Sequence, residues 1–255
     1  MNHMMRLGMT AALLGACAGT AGAAPESATE TRTVDARVVR VNLEGVVNLQ
    51  IRQGDTAALV LKGDPRLVGR TTATQRGDTL SIGLEGRGAS LGRSSGVQAE
   101  LVLPALRAVS SESVGSTTVN GFSGDALKID LDGAGSMNVS SQFRVITASL
   151  GGVGSLRILD ADSDSIELDL GGAGFVSVSG RSRSLTAELS GLGGLDAQKL
   201  VAESVKVELS GLGNATVNAR HSADLELSGM GSVTVFGKPA NRKVVVDGLG
   251  KVNWK

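Results

Sequence analysis

The stretch Ile166-Glu167-Leu168-Asp169-Leu170-Gly171-Gly172-Ala173-Gly174-Phe175-Val176-Ser177-Val178 decides the fold. Ile166, Leu168 and Leu170 alternate with acids. Val176 and Val178 alternate with Phe175 and Ser177 beyond the two glycines. Apolar residues at period 2 describe a strand with one buried face, and the 3.6-residue spacing of a helix fits neither half. The segment therefore reads as two strands meeting at Gly172-Ala173-Gly174.

Working outward, the same unit recurs. Gly-x-Gly appears at Gly133, Gly152, Gly172, Gly191, Gly211, Gly229 and Gly248, with first glycines 19, 20, 19, 20, 18 and 19 residues apart. A degenerate copy, Ser113-Val114-Gly115, precedes them in phase. Each copy has its own alternation. Leu127, Ile129 and Leu131 lead into Gly133, and Val205, Val207 and Leu209 lead into Gly211. Val244 and Val246 lead into Gly248, and Val252 and Trp254 follow it. A fixed period near 20 residues is the mark of a solenoid whose repeats bury their faces only by stacking on one another. The expected fold is all-β, a parallel β-helix of about 20 residues per coil. Each coil is a strand, a glycine corner, a second strand and a polar return turn of five to seven residues. Glycine suits the corner because a side chain would collide there and because glycine tolerates positive φ. A phosphate-cradling loop would need a helix after the glycines, and none is expected.

The residues between the glycines, Ala134, Val153, Ala173, Leu192, Leu212, Met230 and Leu249, are out of phase with the core set. On a straight strand they would form an apolar ridge, a candidate interface. If the corner reverses the side-chain phase, they plug the core instead. The second arrangement is expected, because long unpaired apolar ladders are uncommon on soluble surfaces.

Residues 1–23 read as an export signal: Arg6, an apolar run from Leu7 to Ala18, and the small-residue site Ala21-Gly22-Ala23. Leu14-Gly15-Ala16-Cys17 also reads as a lipobox, with signal 1–16 and Cys17 as the lipidation candidate. Residues 24–33 are expected to be a linker and 34–255 a single solenoid domain, with irregular capping coils over 34–103 and regular coils over 104–255. Either signal implies export to the periplasm, the cell surface or the medium, with membrane attachment only through a lipid on Cys17. Cys17 is the sole cysteine, which leaves the mature fold without a disulfide or a thiol catalyst. The 25 basic and 25 acidic residues balance, and no basic cluster interleaves with aromatics, which argues against nucleic acid. Gly86 to Gly96, rich in Gly, Ser and Arg, reads as a mobile loop.

Several stretches resemble a known family. They are Leu49-Gln50-Ile51-Arg52-Gln53-Gly54-Asp55, Asp78-Thr79-Leu80-Ser81-Ile82, Leu103-Pro104-Ala105-Leu106, the Ser-Gly-x-Gly copies such as Ser210 to Gly213, and Val235-Phe236-Gly237-Lys238-Pro239. Over about residues 34–253 the chain resembles the bacterial GIN-domain family, DUF2807, described as autotransporter-adhesin head domains. The resemblance implies an exported right-handed β-helix, a role in adhesion and no established catalytic residues. No translocator barrel follows before Lys255, so the autotransporter part of that description is not expected to apply.

Catalytic candidates are few. His221 is the single histidine beyond the signal and is expected to be solvated in a return turn beside Arg220, since a triad needs a paired nucleophile and an orienting acid. Asp160, Asp162 and Asp164 alternate in one return turn. Ser165 and Gly171 stand where an EF-type calcium loop would need glycine and glutamate. A solvated turn is expected there, with weak calcium binding as the alternative. No Tyr, four Phe and one Trp equip the chain poorly for an aromatic sugar platform. The expected protein is a non-catalytic, adhesin-like or structural envelope module without cofactor or metal. Its candidate partners are a surface glycan, a protein or a second copy of itself. The alternatives are a polysaccharide-active β-helix enzyme and a self-assembling scaffold. Clustered ionisable groups in a groove would favour the enzyme, and a flat polar face would favour binding.

Overall fold

The structure is a computed structural model that describes residues 27–84 and 96–255. The export signal over 1–23, Cys17 and residues 86–95 of the expected loop lie outside the described residues. The chain begins with strands β1 (Ala28–Thr33), β2 (Arg40–Leu43), β3 (Val47–Gln53) and β4 (Ala58–Gly63), then a short helix α1 (Pro65–Val68). Next come β5 (Thr71–Arg76), β6 (Thr79–Leu84), β7 (Val97–Leu103) and β8 (Ala108–Ser111). Six long strands follow: β9 (Ser116–Leu131), β10 (Ser136–Leu150), β11 (Ser155–Leu170), β12 (Phe175–Leu189), β13 (Gly194–Leu209) and β14 (Asn214–Leu227). The last coils are β15 (Ser232–Phe236), β16 (Asn241–Val246) and β17 (Lys251–Trp254).

The long strands each bend midway and so contribute to two facing sheets. The first sheet runs β1-β4-β7-β3, then the leading halves of β9 to β14, then β15 and β17. The second runs β5-β6-β2-β8, then the trailing halves of β9 to β14, then β16. Pairing is parallel except for β1–β4, β4–β7 and β5–β6. The result is a β-solenoid of about seven turns at roughly 20 residues each.

The core lies between the sheets and follows the period-2 alternation. Ile129, Ala148, Leu168, Ala187, Val207 and Leu225 stack in register and are all buried. Large and small side chains alternate for part of this column, as close packing requires. Burying one such Leu is worth about 1.5–3 kcal/mol. Val244 and Val246 belong to the same phase, yet they are exposed, because no described strand pairs beyond β16.

Two expectations need correction. Residues 28–33 are not a linker: they form β1, antiparallel to β4, with Arg32 Nη1 donating to the Thr71 carbonyl at 2.6 Å. The return turns are not separate segments between strands either. They are bends inside continuous strands, where the register shifts at Ser140/Gln142, Ile158/Ala161 and Ser177/Gly180. Gly121, Asp160 and Gly180 take positive φ there. A bulge turns a strand without breaking its pairing to the next coil, which suits a stacked bend.

Candidate functional site

The Gly-x-Gly copies form one edge of the solenoid, where the two sheets meet. None of the paired glycines takes a positive φ. Their reason is steric approach. A Cβ at Gly135 would stand 2.5 Å from the Gly115 carbonyl oxygen, one at Gly174 2.6 Å from that of Gly154, and one at Gly213 2.6 Å from that of Gly193. The corner backbones can then pair coil to coil. Val153 N–H donates to the Gly133 carbonyl at 3.1 Å, Leu192 to Gly172 at 3.0 Å and Leu212 to Gly191 at 3.1 Å.

That pairing points the intervening side chains outward and overturns the expectation that they plug the core. Val153 is 64% exposed, Leu192 61%, Leu212 50%, Met230 54% and Leu249 81%. Ala134 and Ala173 are exposed as well, and Val114, 46% exposed, extends the ladder by one coil. The phase reversal fails because the corner bends at its glycines while keeping the hydrogen-bonded ladder. Phe175, 48% exposed, flanks the ridge with its ring against Gly194.

The opposite edge carries charge. Arg144 lies between Asp164 at 3.0 Å and Asp125 at 3.8 Å, Arg183 pairs with Asp164 at 3.3 Å and Arg181 with Asp162 at 3.5 Å. His221 Nε2 lies 2.7 Å from Glu203 Oε2, with Arg220 at 3.8 Å from the same carboxylate. His221 is thus an exposed side chain resting on Glu203 at the end of the ion-pair ladder. Arg144, Asp162, Asp164, Arg181, Arg183, Glu203 and Arg220 line an open groove of about 450 Å³. The three aspartates of the return turn are divided. Asp162 and Asp164 face arginines of neighbouring coils, while Asp160 sits at φ 55 with its N–H on Ser179 Oγ. Among the described residues no three His, Cys, Asp or Glu converge as metal ligands would.

The two outer faces differ in chemistry. The first sheet presents the in-register row Thr118, Asn138, Arg157, Ser177, Asp196, Thr216 and Thr234 on β9 to β15, short polar side chains interrupted by one cation and one acid, with hydrogen-bonded Asn–Ser pairs beside them. Ser116 Oγ donates to Asn48 Oδ1 at 3.0 Å and Ser232 Oγ to Asn214 Oδ1 at 2.8 Å. The second sheet presents an acidic column, Asp169, Glu188, Glu208 and Glu226, paired in register. Lys206 and Lys243 sit in the column beside it. The Glu208 carboxylate accepts a hydrogen bond from Lys206 and holds its ammonium above the ordinary lysine range. Asp224 and then Glu226 do the same for Lys243.

A family model described as "Putative auto-transporter adhesin, head GIN domain" matches residues 39–239. The chain belongs to this family. Three solved structures share the GIN-domain fold at sequence identities that speak to fold alone. One is a "putative adhesin" from Parabacteroides distasonis, 19% identical, with a TM-score of 0.79 over 90% of this chain and 97% of that one. A second, named "putative lipid binding protein", comes from the same species and is 17% identical, with a TM-score of 0.77 over 88% and 96%. The third is a "putative adhesin" from Bacteroides fragilis, 19% identical, with a TM-score of 0.65 over 91% and 98%. No curated protein matches the chain.

The sequence reading missed the charged groove of this GIN-domain chain. Its signal is a sign alternation in coil phase: Asp125, Arg144, Asp164, Arg183 and Glu203 follow one another at 19, 20, 19 and 20 residues. It shows only when charges are sorted by repeat position.

Proposed function

We propose that this GIN-domain chain is an exported, non-catalytic binding module of the adhesin kind, and that the outer face of the first sheet holds its ligand. The observation that carries the reading is the row of Thr, Asn and Ser on that face, with Arg157 and Asp196 set among them. Short hydroxyl and amide side chains lose little rotamer freedom on binding, each can donate and accept, and the strand spacing of about 4.8 Å repeats them along a rigid plane. Such a surface suits a ligand rich in hydroxyls or amides, a surface glycan or a protein. The family description and the adhesins of like fold support this reading.

The test uses beads coated with the purified protein, presented to immobilised neutral and uronic-acid polysaccharides and to bacterial envelope proteins. Thr216→Arg with Thr234→Arg places two cations on adjacent strands of the face. Adhesion to whichever surface retains the wild-type beads should fall at least about tenfold, which needs a loss of only ~1.4 kcal/mol. Unchanged adhesion with both variants folded would remove the first sheet as the ligand face.

The groove of Asp162, Asp164 and Glu203 is the one observation that favours a polysaccharide-active enzyme. Each of these carboxylates is engaged by an arginine of a neighbouring coil. Acid–base cleavage asks for a free acid and base set across one bond, so the groove reads as a structural ladder.

A further inference from the structure

The apolar ridge lies apart from the proposed ligand face, and its occupant is legible in its own side chains. We infer that it is a self-association surface, on which two copies of this chain pack antiparallel about a two-fold axis.

The argument begins with size. Along the solenoid the rungs run Val114, Ala134, Val153, Ala173 and then Leu192, Leu212, Met230, Leu249. The smaller half is followed by the larger half. A two-fold axis between the coils of Ala173 and Leu192 sets Ala173 against Leu192 of the second copy, Val153 against Leu212 and Ala134 against Met230. Each small rung then meets a large one, so the gap between the two edges stays even. A parallel arrangement would set Ala on Ala and Leu on Leu, leaving a wedge. Phe175 and Gly194 occupy the same two coils as the axis, so the one exposed aromatic ring beside the ridge falls at the centre of the contact. Energetic anchors at interfaces concentrate there.

Charge permits the approach. Along its middle coils the ridge is flanked by Gly151, Gly171 and Ser190 on one side and by Ser155 and Asn214 on the other, while Glu112, Asp132, Asp247 and Lys251 flank only its outer rungs. No ion has to be desolvated along the middle coils. A lipid surface would instead be expected to find basic residues at the rim of the apolar strip.

Area sets the strength. Eight rungs at about 4.8 Å span roughly 34 Å, and the edge is about as wide as the ~10 Å sheet separation. Two such strips bury about 700 Å², below the ~1,200 Å² of stable complexes. The association is therefore weak and reversible, with dissociation in the micromolar range or above. A strip this size also stays within the ~300–600 Å² patch that monomers tolerate.

Sedimentation velocity on the purified protein over a wide concentration range tests the proposal. Wild type should shift from monomer to dimer. Val153→Lys and Leu212→Glu, both at exposed positions, should keep their melting temperatures and each weaken the dimer at least about tenfold by placing a lone charge in the contact. Mixing the two variants should restore association as a heterodimer, because position 153 of one copy then faces position 212 of the other. A wild type that stays monomeric at several hundred micromolar overturns the proposal, whether or not it binds vesicles or other proteins. So does a dimer indifferent to both variants. Single-variant losses without rescue on mixing overturn the antiparallel register.

Discussion

At every corner glycine but Gly174 and Gly250, where a leucine side chain comes first, the nearest atom of the coil before is a backbone oxygen, and one methyl group would force two coils apart. Gly213→Ala should cost about 2–4 kcal/mol, since neither backbone can yield without breaking ladder hydrogen bonds. Leu212→Ala, one residue away and half exposed, should change stability by about 0.5 kcal/mol or less in dilute protein. Urea titration of both variants measures the contrast, and equal losses would mean the corner is not stacked as described. Thr117 offers a change of opposite sign. Its hydroxyl is buried with no protein partner, so Thr117→Val should stabilise the fold by about 1 kcal/mol. The corner glycines were legible in the sequence because their period is regular. The direction of the residues between them was not. Alternation alone cannot tell a bend that keeps the backbone ladder from one that reverses the side chains, and that choice is set by hydrogen bonds to the coil before.

Among elements, the strand alternation carries the stability. Leu168 is buried in the stacked column and Glu167 points outward. Leu168→Asp should cost several kcal/mol, about the desolvation of an unpaired charge, while Glu167→Ala should cost about 0.5 kcal/mol or less. Thermal or denaturant unfolding checks both, and similar losses would contradict the two-sheet core. The alternation predicted this assignment because a strand with one wet face writes it directly into the sequence. The N-terminal elements were harder to read. Asp64 caps α1 and Pro65 opens it, a start signal too short to outweigh the surrounding strand pattern. Ala28–Thr33 is polar enough to pass for a tether, and its pairing with β4 is a contact between distant segments that no local pattern reports. The charged edge escaped for a related reason: its acids and bases meet across coils, never within one turn.

For the whole molecule, the solenoid places its chemistry on four long surfaces: a polar face, an acidic face, a charged edge and an apolar edge. The proposed export has its own check. Sequencing the N-terminus of the protein from fractionated cells should find Ala24 after soluble export or a lipid-blocked Cys17 after anchoring. A cytoplasmic protein starting at Met1 would contradict export. The central claim is that these surfaces bind and do not cleave. The most direct measurement incubates the purified protein with neutral and uronic-acid polysaccharides, with and without calcium, and follows the release of reducing ends. The account predicts no turnover for wild type. Reproducible release of oligosaccharides that disappears in Asp164→Asn or Glu203→Gln, with the fold intact, would contradict it.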